Sequence, residues 1–150
     1  MNEDDLITLM PVNPDNWRLG LRVKPEQERF VANSTAILAR AYAYRYNNSH
    51  AFVIYHNTTP IGMALYYDDD EVNAYVFSQF FIDQNYQGLG YGERAAKTVI
   101  QLMLADDKYN KVLLCYIEGD IPAKNLYEKL GFVHTGERDE DEIMMELKLR

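Results

Sequence analysis

The segment Gln87-Gly88-Leu89-Gly90-Tyr91-Gly92 limits what this chain can fold into more than any other feature. Before it, Ala74 to Asp83 is a long aromatic stretch with strand character. After it, Ala96, Val99, Ile100 and Met103 recur at i, i+3, i+4 and i+7, the apolar stripe of a helix. Glycines between a strand and a helix let the backbone turn tightly and bring several N–H groups to face one point. The helix adds the positive end of its dipole. Such a junction holds a phosphate or pyrophosphate; a plain glycine-rich loop is the other reading. Gly90-Tyr91-Gly92-Glu93-Arg94-Ala95 also fits the dinucleotide pattern G-x-G-x-x-A, with Glu118 where a ribose-binding acid would stand. That fold needs several further strand–helix units, and too little chain follows Glu118.

The remaining elements follow from periodicity and punctuation. Leu6 to Met10 reads as a short first strand ended near Pro11 and Pro14. Glu26 to Tyr44 is rich in helix formers, with Asn33-Ser34 dividing it and Ser34 as an N-cap. Ala51 to Tyr55 and Ile61 to Tyr67 read as strands around the turn cluster Asn57-Thr58-Thr59-Pro60. The acidic run Asp68 to Glu71 is expected to be a solvated loop. Lys111 to Ile117 is a continuous apolar run, the sign of a fully buried strand. Asp120 caps a helix with Pro122 near its first turn and Gly131 just past its end, and with Ala123, Leu126, Tyr127 and Leu130 as its stripe. Phe132 to Thr135 is a strand. Ile143, Met145, Leu147 and Leu149 alternate as a last, half-buried one, reached through the acidic turn Glu137 to Glu142. The order predicts an α/β fold: an antiparallel meander, then strand–helix–strand, then a helix and a closing hairpin.

The 150 residues suit one domain, 1–150, and 47% hydrophobic content supplies a core. A net charge of −8 disfavours nucleic-acid phosphates and anionic lipid headgroups and favours cations. The single cysteine, Cys115, gives no disulfide framework and is expected to be a buried structural thiol. His50, His56 and His134 show no ligand spacing, so no metal is expected. Glu3, Asp4 and Asp5 stand where a signal peptide would be basic, and no apolar stretch is long enough to span a bilayer; a cytoplasmic location is the expectation.

Phe80-Phe81-Ile82-Asp83-Gln84-Asn85-Tyr86-Gln87-Gly88-Leu89-Gly90-Tyr91-Gly92 resembles the acetyl-CoA motif of the GNAT superfamily of N-acetyltransferases. Gln87, Gly90 and Gly92 match its core of Arg or Gln, two residues, Gly, one residue, then Gly or Ala. The segment from Ala123 to Phe132, a tyrosine-bearing helix ending in Gly-Phe, resembles the family's second motif. Spacing and element order agree from Phe77 to the C-terminus, whereas the first half carries no motif. Within the superfamily, the wording from Phe80 to Gly88 looks most like bacterial polyamine (spermine/spermidine) acetyltransferases. The resemblance implies a GNAT-like mixed, mostly antiparallel central sheet flanked by helices. It implies acetyl-CoA as co-substrate, with its pyrophosphate on the amides of Gln87, Gly88, Leu89, Gly90, Tyr91 and Gly92. Its pantetheine arm would pair like an extra strand near Phe81 and Ile82.

Tyr127 matches the family's general acid, and a phenol suits proton donation to a departing thiolate; on residue pattern alone it also reads as a core tyrosine. The general base stays open. Ser78 stands where related polyamine enzymes carry an acid; serine is too weak a base, though it can position a water. Glu118 and Asp120 are the substitute carboxylates and candidate substrate contacts, with helix capping the first role of Asp120. The expected acceptor is a small cationic amine, with a polyamine foremost. A protein amine, an aminoglycoside, and a catalytically silent acetyl-CoA-binding module remain alternatives. The closing strands could also pair between subunits of a homodimer.

Overall fold

The computed structural model describes residues 5–150, so Glu3 and Asp4 of the acidic N-terminus lie outside the described residues. The elements run β1 (Ile7–Pro11), a 3-10 turn (Pro25–Phe30), α1 (Ser34–Ala43), a second 3-10 turn (Arg45–Asn47), β2 (His50–His56), β3 (Thr59–Asp69), β4 (Ala74–Ile82), α2 (Tyr91–Asp106), β5 (Lys111–Ile117), α3 (Ile121–Lys129), β6 (Val133–Asp139) and β7 (Glu142–Lys148). The strands form one seven-stranded sheet in the order β1-β2-β3-β4-β5-β7-β6. Every neighbouring pair is antiparallel except β4 and β5. This is the mixed, mostly antiparallel sheet flanked by helices that the resemblance implies.

The parallel pair is short. Tyr75 pairs with Val112 and Val76 with Leu113, and there the ladder stops. β4 continues along β3 to Ile82, so its stretch from Phe77 to Ile82 keeps a free edge facing the fork between β4 and β5. At the start of that stretch the β3–β4 register slips: Tyr66 faces Phe77 and Leu65 faces Gln79, leaving Ser78 as the extra residue. A bulge of this kind bends its strand and re-aims a side chain.

The two faces are covered differently. On one, Ala95, Ala96, Val99 and Met103 of α2 and Tyr127 of α3 pack with Ile54, Ile61, Tyr75 and Leu114. On the other, Ile37 of α1 meets Met63, Leu65 and Phe81. Ile37 is fully buried, which stabilises the attachment of α1 by roughly 1.5–3 kcal/mol.

Four sequence expectations are corrected. The α1 cap is Asn33, whose side chain accepts from the Ala36 N–H at 2.8 Å, and Ser34 is the first helical residue. The run from Asp68 to Glu71 is not wholly a solvated loop: β3 extends to Asp69, and Asp68 is buried. Its carboxylate accepts from Asn48 Nδ2 at 2.8 Å and pairs with the Lys108 ammonium, both distant in sequence. Cys115 is exposed rather than buried, because β5 alternates in burial and has left β4 by that point. The strand after Phe132 extends to Asp139, well beyond Thr135, and its outer face is exposed. No helix among the described residues is long and apolar enough to cross a membrane.

Candidate active site

The glycine turn closes directly onto α2. Gly88 and Gly90 have φ of +77° and +87°, a left-handed conformation that side chains oppose. Gly90 is the N-cap residue of α2 and carries no capping side chain, so the first N–H groups of the helix have no side-chain acceptor there. A Cβ at Gly88 or Gly90 would meet nothing within 4 Å, so the space over these amides is open. Such a cradle of donors at a helix N-terminus fits a pyrophosphate.

The turn is braced from the first half of the chain. Gln87 and Gln27 exchange side-chain amide hydrogen bonds of 2.9 and 3.1 Å, and Gln87 Nε2 also donates to the Ile82 carbonyl at 2.9 Å. The buried Asp83 carboxylate accepts from the Arg22 and Asn85 N–H groups, at 2.9 and 3.1 Å. These contacts lay the segment from Arg22 to Val31 along the mouth of the fork.

A cavity opens on each side of that fork. The first, of about 480 Å³, reaches from Gln87, Gly88 and Gly92 past Phe81 and Ile82 to Asp120 and Tyr127. The second, of about 350 Å³, contains Ser78, Arg40, Tyr67, Asp69, Cys115 and Glu142. Phe30 lines both, and Phe77, in the wall of the second, has its ring centroid 6.5 Å from that of Tyr127 in the first. The two cavities therefore approach each other at the fork.

Of the residues singled out in the sequence, Phe81, Ile82, Gln87, Gly88, Gly92, Asp120 and Tyr127 meet around the first cavity. Gly90, the α2 N-cap, and the exposed Leu89 belong to the same turn but do not line that cavity. The Tyr91 side chain turns away: its hydroxyl lies 3.2 Å from His56 Nδ1, leaving only its backbone at the turn. Ser78 lies in the second cavity, where its Oγ accepts from Arg40 Nη1 at 3.2 Å. Glu118 lines neither cavity; its carboxylate is exposed and bonded to Arg138 Nη2 at 2.9 Å, which holds it below the usual carboxylate range.

Tyr127 is buried between Phe77 and Phe132, with edge-on ring contacts to both. Burial, and secondarily the Asp120 charge, push its phenol far above the ordinary tyrosine value. It therefore stays protonated throughout neutral and mildly basic pH, as a proton donor must. Asp120 caps α3 by accepting from the Ala123 N–H at 3.3 Å. Its pKa is raised by burial, against the opposing pull of that N–H and of Arg29. Among the described residues no cluster of His, Cys, Asp and Glu is arranged to hold a metal ion.

Gln27, Phe30 and Arg40 were not singled out by sequence reasoning. Gln27 and Phe30 sit on a 3-10 turn and Arg40 on the inner side of a short helix, and neither segment carries a motif. The available signal was Pro25 opening a new element, with the polar run Glu26 to Arg29 giving way to the apolar Phe30-Val31-Ala32.

Residues 14–132 match the acetyltransferase (GNAT) family. The chain is 31% identical over 141 residues to the spermine/spermidine N(1)-acetyltransferase of Bacillus subtilis, covering 89% of this chain and 91% of that one. In fold it is similar to spermidine N-acetyltransferase from Vibrio cholerae in complex with CoA and spermine, with a TM-score of 0.77 at 17% identity, over 99% of this chain and 97% of that one. An aminoglycoside acetyltransferase in complex with coenzyme A superposes with a TM-score of 0.79 at 14% identity, over 95% of each chain. With the family matched across most of its length, the chain belongs to the acetyltransferase (GNAT) family and is an acetyl-CoA-dependent N-acetyltransferase.

Proposed function

We propose that this protein acetylates a primary amine of a small polycation, with spermidine and spermine as the representative acceptors. The observation that carries the reading is the pair of cavities meeting at the β4–β5 fork. One has the glycine turn and Tyr127; the other has the carboxylates of Asp69 and Glu142 among the aromatic rings of Tyr67 and Phe77. The 31% identity to a spermine/spermidine acetyltransferase supports the same acceptor class.

Bound acetyl-CoA supplies a thioester whose carbonyl an amine can attack directly. The backbone amides at Gly88 to Gly92 hold the pyrophosphate, and the free edge of β4 from Phe77 to Ile82 offers an extended arm its hydrogen-bonding partners. Tyr127 donates its phenolic proton to the leaving sulfur, a step worth roughly 10²–10⁴-fold in rate. Ser78 positions the water or amine that approaches from the other side. Asp120 acts by capping α3, which fixes the helix that presents Tyr127. Asp69 and Glu142 attract the ammonium groups that do not react, and Phe30 screens the junction from solvent.

Comparing kcat/KM for spermidine with that for a monoamine such as butylamine, at low and high salt, tests the acceptor. The expected result is a preference for spermidine that shrinks with added salt, since the carboxylates reach water and are screened over ~8 Å at physiological ionic strength. Equal values for both amines without salt dependence would discard the polyamine reading and leave the acetyltransferase.

A further inference from the structure

We infer that the Arg40 guanidinium takes the place of a general base, keeping the reacting amine of the acceptor neutral by its charge at the fork. The inference rests on the acceptor reading above and deepens it. At the free edge of β4 the second cavity presents Ser78 where a general base would have to stand, and a serine accepts no proton at neutral pH. In its place the bulge at Ser78 turns the hydroxyl toward α1, where Arg40 Nη1 donates to it at 3.2 Å. Arg40 is half-buried in the wall of the second cavity. Among the described residues, the arginines in ion pairs are Arg94, Arg138 and Arg150, so the Arg40 charge is not neutralised by a carboxylate contact.

The other groups facing this space are arranged to leave that charge dominant at the fork. Tyr67 of β3 is neutral, its phenol pushed up to about 12 by burial and by Tyr44, whose ring stacks on it at 4.1 Å; the Arg40 charge opposes that rise and the Asp69 charge adds to it. The Cys115 thiol of β5, exposed but with its sulfur partly desolvated, is raised by that desolvation and by the charges of Glu142 and Asp139 and is also neutral. Arg29 lies over the Phe30 ring at 4.3 Å and adds a second positive charge at the rim. The two carboxylates stand off. Asp69 pairs with Ala74, several residues along β4 from Ser78, on the order of 10 Å at ~3.3 Å per residue. Glu142 pairs with Ile117, past the point where β5 has left β4, so it stands across the fork from Ser78. The cavity is thus polarised, positive where the amine must react and negative where the remaining ammonium groups of a polycation come to rest.

A free primary amine has a pKa near 10.4, so well under ~0.1% is neutral at pH 7. A like charge within ~4–6 Å disfavours the ammonium form, and charges at that range shift pKa values by ~1–3 units. The ammonium gives one proton to water before attack; the amine nitrogen then bonds to the thioester carbon, the C–S bond breaks as Tyr127 protonates the sulfur, and the second proton lost from nitrogen passes to water, from which Tyr127 is reprotonated. The neutral fraction of the bound amine rises by the same ~10–1000-fold.

The test is the pH dependence of kcat, which reports ionisation in the bound state, for wild type, Arg40→Gln and Arg40→Lys with spermidine and with butylamine. For Arg40→Gln the rising limb should move up by about one pH unit or more with both amines. Its kcat should fall ~10-fold or more near pH 7 and return toward wild type near pH 10. Arg40→Lys should keep the wild-type profile, and the affinity of all three proteins for CoA, measured by calorimetry as a check on folding, should be equal. An unshifted profile in an active, folded Arg40→Gln variant overturns the inference and leaves the polyamine reading standing. A rise in acceptor KM alone likewise overturns it, since Arg40 would then shape the acceptor site without setting the ionisation of the bound amine. A wild-type protein that turns over a monoamine as well as spermidine, with the shift still present, would overturn the acceptor reading and keep this one.

Discussion

Replacing Gly90 by alanine separates what the glycine turn does for the fold from what it does for the ligand. Gly90 is the N-cap of α2 with φ +87°. An L-residue in the left-handed region costs about 1–2 kcal/mol. The added Cβ would meet nothing within 4 Å, so no packing clash adds to the strain. At ~2–4 °C per kcal/mol for a chain of this size, Tm should fall by roughly 2–8 °C. The methyl group would stand in the open space over the first amides of α2, the proposed seat of the pyrophosphate. Losing one charge-assisted hydrogen bond costs ~1.5–3 kcal/mol, so Kd for CoA should rise roughly 10–100-fold. Calorimetric titration with CoA, and with a pantetheine fragment lacking the pyrophosphate, reads the two contributions apart. The fragment should bind wild type and variant alike. A variant with the lowered Tm and an unchanged CoA affinity would refute the placement of the pyrophosphate on this turn.

Tyr127→Phe should lower kcat by roughly 10²–10⁴-fold with little change in CoA affinity. Because burial raises the phenol pKa, the wild-type profile should show no falling limb from this group below about pH 10; stopped-flow turnover across that range checks both. Asp68→Ala removes the buried acceptor of Asn48 and Lys108 and should cost about 1–3 kcal/mol in denaturant unfolding while leaving kcat near wild type. The Asp68 carboxylate holds the Lys108 pKa up, so the stabilisation from that pair is present through neutral pH and is lost as pH rises through the raised Lys108 value; thermal melts at neutral and strongly basic pH should reveal the loss in wild type and not in the variant. Glu142→Gln should raise the spermidine KM several-fold, whereas Glu118→Gln should not, since Glu118 is bonded to Arg138 outside both cavities.

The parts of the site legible in the sequence are those whose chemistry is local. The glycines, the Asp120 cap with Pro122 and Gly131, and the stripe carrying Tyr127 each act through neighbours a few residues away, so spacing alone places them. Asp68 was misread because its partners, Asn48 and Lys108, lie 20 and 40 residues away, and nothing in an acidic run marks which carboxylate turns inward. Cys115 was misread because the apolar run of β5 suggests two covered faces, whereas the divergence from β4 uncovers one. The roles of Gln27 and Phe30 depend on a loop laid across the fork by Asp83 and Gln87, and that of Arg40 on how α1 docks on the sheet, and no periodic pattern encodes either. Ser78 was noticed in the sequence as a departure; only the structure places a guanidinium beside it.

The most direct test of the account is a competition. The protein is incubated with acetyl-CoA and an equimolar mixture of spermidine, butylamine, an aminoglycoside and a lysine-containing peptide, and thiol release and acetylated products are followed by mass spectrometry. The account predicts thiol release matched by monoacetylated spermidine as the first and dominant product. Thiol release matched by acetylated peptide or aminoglycoside, with spermidine untouched, would contradict it.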